Sequence, residues 1–210
     1  MTSDISSLIG AVTREVRSIE YEGKPARVVV AARSYDTDID DLWDAISNPE
    51  RLPRWFAPVS GDFELGGKYQ ITGNASGTIT RCEPPRELAL TWEFGGGVSW
   101  VTVSLREEGG ATRLELHHIA HPEAHWDQFG PAAVGIGWEL GLMGLARHIE
   151  TPAAAKPPEA DEAWMASAEA KLFIRLSAEG WRDAAIAGGD DPAWAAEAAE
   201  RTRKFYSGEA

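Results

Sequence analysis

The sequence predicts an α+β fold: a curved antiparallel sheet wrapped around a long C-terminal helix, followed by a helical extension. Three patterns predict it. A β-branched run at residues 26–35 leads into two short helical segments rich in aromatics. Short alternating segments, divided by glycine and proline, then fill residues 59–119, and residues 134–150 carry apolar side chains at helical spacing.

Residues 1–24 are mixed and read either as a short helix around 6–16 or as an irregular arm. The valine-rich strand at 26–35 comes next. Asp38, with Asp41 three residues on, marks an acid-rich start for a helix over 39–46, whose apolar face is Leu42, Trp43 and Ile46. Asn48-Pro49 stops it, and Pro49 opens a second short helix carrying Leu52, Trp55 and Phe56. Beyond Pro58, breaks at Gly61, Gly66-Gly67, Gly73-Asn74, Gly77, Pro84-Pro85, Gly95 to Gly97 and Gly109-Gly110 delimit strands at 68–72, 78–82, 88–94, 98–105 and 112–119. In the last, Leu114, Leu116 and His118 share one face while Arg113, Glu115 and His117 share the other. A sheet apolar on one side needs a covering layer, and the helix at 134–150 is the candidate, with Trp138, Leu142, Leu145 and Ile149 on its stripe. Gly135, Gly137, Gly141 and Gly144 interrupt that stripe, which implies either close backbone packing or a gap against the sheet. Residues 151–158 read as a Pro/Ala linker. Two helices follow, at 161–187 and 192–206, the second capped by Asp191 with Pro192 at its first position. Their aromatics call for burial, on the domain or on a second copy of the chain in a homodimer.

These elements divide the 210 residues into an arm (1–25), a ligand-binding domain (26–150) and a helical extension (151–210). The net charge of -13, with no basic stripe, argues against nucleic acid as a partner. No apolar run approaches the roughly 20 residues that span a bilayer, and residues 1–10 lack the charged start and apolar core of a signal peptide. A cytoplasmic protein without membrane insertion is expected. Cys82 is the only cysteine, so neither an internal disulfide nor a thiolate metal cluster forms within one chain.

The order strand, two short helices, several strands and a long glycine-bearing helix resembles the SRPBCC or START-like superfamily, the helix-grip fold. The branch is the one homologous to the heat-shock-protein ATPase activator, Aha. The resemblance is carried by LWDAISNPERLPRWF (42–56), FELGGKYQITGNASGTI (63–79), ELALTWEF (87–94), TRLELHH (112–118) and HWDQFGPAAVGIGWELGLMGL (125–145). It covers about residues 27–149 and implies a seven-stranded sheet gripping a helix around a hydrophobic cavity. It does not fix a function, because relatives include lipid carriers, polyketide cyclases, co-chaperones and antibiotic-resistance proteins.

The expected function is cofactor-free, non-enzymatic binding of a hydrophobic aromatic, lipid or polyketide-like molecule between sheet and helix. The residues expected to contact it are Trp43, Trp55, Phe56, Tyr69, Trp92, Phe94, Trp100, Leu116, His118, Trp138, Leu142 and Met143, with His118 supplying one orienting hydrogen bond. The alternative is a cyclase or hydrolase that uses His118 or Glu93 as general base beside Tyr69 or Arg81, on the model of the superfamily's cyclases. Further alternatives are chaperone regulation and sequestration of an antibiotic. His117, His118, His121, His125 and Asp127 crowd near one strand end, but adjacent strand residues point to opposite faces, so no metal site is expected. Gly66-Gly67 and Gly95 to Gly97 read as hairpin turns, since no Lys-Ser or Lys-Thr helix start follows.

Overall fold

Eight strands hydrogen-bond in the order β1-β2-β8-β7-β6-β5-β4-β3 in the computed structural model, which describes residues 4–152 and 162–209. They are β1 (Thr13–Tyr21), β2 (Lys24–Tyr35), β3 (Val59–Gly61), β4 (Lys68–Ile71), β5 (Ser76–Glu83), β6 (Glu87–Phe94), β7 (Gly97–Glu108) and β8 (Ala111–Ala120). From β3 to β8 each strand pairs antiparallel with the next. The helices are α1 (Ile5–Gly10), α2 (Ile39–Ser47), α3 (Ala124–Phe129), α4 (Ala132–Glu150), α5 (Glu162–Met165), α6 (Ala168–Ala187) and α7 (Pro192–Tyr206), with a 3-10 turn at Leu52–Arg54. The α+β class stands, with eight strands rather than seven. Absent from the sequence reading are the three-residue β3 and, more consequentially, β1, where a helix or arm was expected. The latter lies at a sheet edge with only Val16 buried, so TREVRSIEY shows no apolar alternation. Its legible signal is the turn after it: Glu22 and Gly23 both take positive φ (50° and 72°), the backbone of a two-residue hairpin. The predicted linker falls almost wholly outside the described residues.

The chain forms two compact units. The first comprises Met1–Ala31, His121–Met143 and Pro158–Ala210. Within it, α6 packs on β1 and α1, and α7 packs on α6 and α3. Trp181 and Ile174 are fully buried, and Trp164 meets Phe173 edge-on with ring centroids 6.2 Å apart. The predicted capping of α7 is present: Asp191 accepts from Trp194 N at 2.8 Å, and Pro192 is the first helical residue. Hydrogen bonds tie α7 to the α3–α4 corner. Trp194 Nε1 donates to Asp127 O (2.9 Å), Thr202 Oγ1 to Phe129 O (2.7 Å) and Tyr206 Oη to Ala133 O (2.9 Å). The terminal helices therefore share a core with the N-terminal residues of the same chain. Gly135 belongs to that core, because a Cβ there would lie 2.2 Å from the indole of Trp181. Of the two meanings open for that glycine, close packing is the one realised.

Glu139 of α4 is 1% exposed and is held by Arg14 of β1 in a two-pronged pair, Nε to Oε1 at 2.7 Å and Nη2 to Oε2 at 2.8 Å. Arg14 also donates to Ile9 O and Val12 O, so its fork ties α1, β1 and α4 together. Above Arg14 sits Gly180, where a Cβ would come within 2.9 Å of Nε.

The second unit comprises Ala32–Ala120 and Gly144–Pro157. Asp38 caps α2 by accepting from Asp41 N at 2.8 Å. After the Asn48-Pro49 break, Arg51 turns back on that helix, with Nη1 donating to Asp41 Oδ1 (2.8 Å) and Asp44 Oδ2 (2.9 Å). Its Nε donates to His148 Nε2 at 3.2 Å. Trp55 Nε1 donates to Ala45 O (2.9 Å), and a Cβ on Gly144 would come within 2.5 Å of Trp55 O, so this second glycine also marks a close approach. The turn thus fixes where Trp55 and Phe56 stand.

Removing one partner of the Arg14–Glu139 pair leaves a buried charge without compensation. Arg14→Met is expected to lower the unfolding free energy by about 3–5 kcal/mol, and adding Glu139→Leu to recover most of that loss. Urea titrations of the two variants measure both effects.

Candidate functional site

Strand pairing assigns every side chain of β4 to β8 to one face or the other, because side chains alternate along a strand and directly paired residues share a face. Leu88, Leu90 and Trp92 of β6 pair with Val103, Val101 and Ser99 of β7. Val103 and Val101 pair in turn with Leu116 and His118 of β8. On the other side, Ile79 pairs with Leu90 and Cys82 with Leu88, the register shifting between Ile79 and Arg81. That irregularity bends β5. Tyr69 pairs with Gly77, where a Cβ would collide with Thr91 O at 2.0 Å. All these residues form one inner face.

Tyr69, Ile71 and Ile79 are its buried centre, with Phe56, Val59, Leu88, Leu90 and Trp92 packed around them. Leu88, Leu90 and Trp92 are only half-buried although β6 has a neighbour on each side. Beside them is a polar pair. Ser99 Oγ lies 2.8 Å from His118 Nε2, a hydrogen bond whose direction is set by the tautomer of the imidazole, and 3.3 Å from Trp92 O. The rings of Trp92 and His118 are tilted with centroids 6.2 Å apart. His118 is 6% exposed, and burial pushes its pKa down to about 4, so the imidazole is neutral near pH 7. Burial, with the Glu93 carboxylate nearby, raises the pKa of the Tyr69 phenol, whose hydroxyl donates to Thr91 O at 2.6 Å. Neither group carries charge at neutral pH.

The structure brings Phe56, Tyr69, Trp92, Leu116 and His118 to this face. It corrects the placement of Trp100, which pairs with Thr91 and Ile119 and therefore lies on the reverse face. Two tryptophans eight residues apart share a face only along one uninterrupted strand, and the Gly95–Gly97 hairpin between them resets the alternation. Phe94 has the parity of Trp92 but stands at the strand end, 62% exposed. Trp43 is half-buried on α2, Trp55 is anchored to Ala45 O, and in α4 Trp138 is half-buried while Leu142 and Met143 are buried.

Two residues of the general-base alternative, Glu93 and Arg81, stand apart from His118. Glu93 is exposed on the reverse face, and Arg81 is engaged there by Glu83 and Glu87, both at 3.0 Å. His117 also faces outward, bonded to Glu115 Oε1 at 2.7 Å, while His121 Nδ1 lies 3.0 Å from Pro25 O and the His125 ring is tilted against that of Phe129. Among the described residues no three His, Cys, Asp or Glu side chains gather as a metal site. Sequence reasoning missed Ser99. A serine in a strand carries no signal of its own, and only the pairing of β6, β7 and β8 sets it against His118.

Residues 36–150 match the profile of the family described as activator of Hsp90 ATPase homolog 1-like protein. The crystal structure of CalU16 from Micromonospora echinospora is 31% identical, covers 86% of this chain and 99% of its own, and superposes with a TM-score of 0.66. The solution structure of the same protein gives 32% identity, 85% and 97% coverage, and a TM-score of 0.69. DynU16, a protein in the dynemicin biosynthetic locus, is 23% identical over 60% of this chain and 48% of its own, with a TM-score of 0.52, and shares the fold. No curated protein matches the chain. No helix among the described residues is long and apolar enough to cross a membrane.

Because His118 is neutral when folded, the unfolded chain takes up a proton between about pH 6.5 and 4 that the folded chain refuses. Its contribution to stability is intact above pH 6.5, declines as the pH falls through that window and is fully lost below about 4, a difference of about 3 kcal/mol. The pKa of His148, lowered by burial and by Arg51 and Arg54, adds a slope of the same sign. Unfolding free energies measured against pH should decline less steeply for His118→Gln than for the wild type. Identical slopes would contradict the burial of His118.

Proposed function

The chain belongs to the family of activator of Hsp90 ATPase homolog 1-like proteins, in the SRPBCC superfamily, and on that premise we propose that it is a binding protein for an apolar small molecule. The molecule, an aromatic, lipid or polyketide-like compound, lies on the inner face of β4 to β8. The observation that carries this reading is the state of β6. Leu88, Leu90 and Trp92 occupy a central strand yet keep part of their apolar surface accessible, beside a buried hydrogen-bonded His118–Ser99 pair. An apolar surface with one convergent polar pair is the usual composition of a ligand site, where hydrocarbon area supplies affinity and the polar group orientation. The ligand would cover Leu88, Leu90 and Trp92, and no cofactor is needed for that role.

A second reading rests on the same pair, since a serine hydroxyl 2.8 Å from an imidazole is also the geometry of a nucleophile and its base. One feature weighs against it: an imidazole with a pKa near 4 is a weak base at neutral pH. A fluorophosphonate that reacts with activated serines is expected to leave Ser99 unlabelled. Labelling at Ser99, abolished by His118→Ala, would favour the hydrolase.

The two tryptophans on opposite faces give the binding reading an internal control. Titration with a panel of aromatic lipids and polyketides should change the tryptophan fluorescence of the wild type. The change should diminish in Trp92→Phe and persist in Trp100→Phe. Silence across the panel, or equal effects of the two substitutions, would count against binding at this face.

A further inference from the structure

The charge pattern of the two sheet faces narrows the ligand class, an inference that rests on the reading above. Around Leu90 and Val101, from Ile79 on one side to Leu116 and His118 on the other, the inner positions carry hydrocarbon, the Trp92 indole, the Ser99 hydroxyl and the His118 imidazole. Most charged residues of these strands, among them Glu87, Glu93, Arg113 and Glu115, have the opposite parity and take the reverse face, while Glu107, paired with Thr112, stands exposed at the far end of β7. That local segregation has a consequence for anything that binds. A carboxylate or ammonium group brought against Leu90 and Val101 would give up its hydration without meeting an opposite charge, and such burial is strongly unfavourable. A hydroxyl or carbonyl gives up far less and can be repaid by a single hydrogen bond.

We infer that this face selects neutral aromatic molecules bearing a hydroxyl or carbonyl group and discriminates against ionised acids and amines of the same shape. The aromatic preference follows from the half-buried Trp92 indole beside the His118 ring, with centroids 6.2 Å apart, since an aromatic guest packs on such a ring by its face or its edge. The neutrality follows from the inventory of side chains, and the uncharged state of His118 at physiological pH agrees with it. One guanidinium of the same unit stands outside this set. Arg33 of β2 is buried over the ring of Tyr35, 5.5 Å from its centroid, on the far side of β8 from Trp92.

The test compares naphthol with naphthoate, two probes of one ring system and nearly one size, by titration calorimetry of the full chain at about pH 7.5, where the first is neutral and the second ionised. Naphthol is expected to bind at least about tenfold more tightly. Leu88→Arg, which places a cation at a half-exposed inner position, is expected to shift the ratio towards naphthoate. Equal or tighter binding of naphthoate by the wild type would overturn the inference and direct attention to Arg33, as would a ratio unchanged in Leu88→Arg. If the broader panel yields ligands while naphthoate rivals naphthol, only the neutrality inference fails. If panel and both naphthyl compounds are silent, the binding reading fails with it.

Discussion

The antiparallel register of β6, β7 and β8 is the constraint on which the functional part of this molecule depends. With a side-chain period of two, a slip of one residue in any of these strands would exchange its faces. Trp92 would leave Ser99, and Glu93 would be driven into hydrocarbon. The register as formed sets Leu88, Leu90 and Trp92 against Val103, Val101 and Ser99, and the latter strand against Leu116 and His118. Burial of an apolar face on one side and solvation of Glu87, Glu93 and Glu115 on the other both resist a slip. The same alternation that specifies the fold creates an uncharged surface with one polar pair in it.

That pair illustrates how burial converts a versatile residue into a restricted one. A histidine at the surface is half-protonated not far below neutrality, and it can act as acid, base or cation. His118, 6% exposed and bonded to Ser99, has lost the cationic state at any physiological pH. What remains is a hydrogen-bonding group of fixed orientation. Such a group is suited to orienting a ligand and poorly suited to removing a proton.

The terminal residues contribute to the same economy of packing by a different route. Gly135 has no side chain because the indole of Trp181 takes its place, and Gly144 has none because Trp55 O does. Each is a docking point for an element distant in sequence. The Arg14–Glu139 pair works likewise, since a carboxylate buried in the middle of a helix is tolerable only where a guanidinium meets it with both prongs. The chain beyond residue 162 is thereby part of a core that begins with α1 and β1.

Much of this was legible in the sequence, for identifiable reasons. Local chemistry sufficed wherever one residue type has one dominant backbone use. Asp38 and Asp191 cap their helices, Pro192 opens α7, and glycine and proline divide the strands from β4 to β8. Periodicity sufficed for β8, whose alternation is strict, and for α4. It failed for β1, because an edge strand with a single buried apolar residue, Val16, shows no apolar alternation. The tertiary structure alone decided which strands are neighbours, and from that came the pairing of Ser99 with His118, the reversal of Trp100, the partner of Glu139 and the meaning of the helix glycines. Sequence spacing records what a residue needs from its own segment. It carries no record of which distant atom will supply the other half of a contact, and sites are made of such contacts.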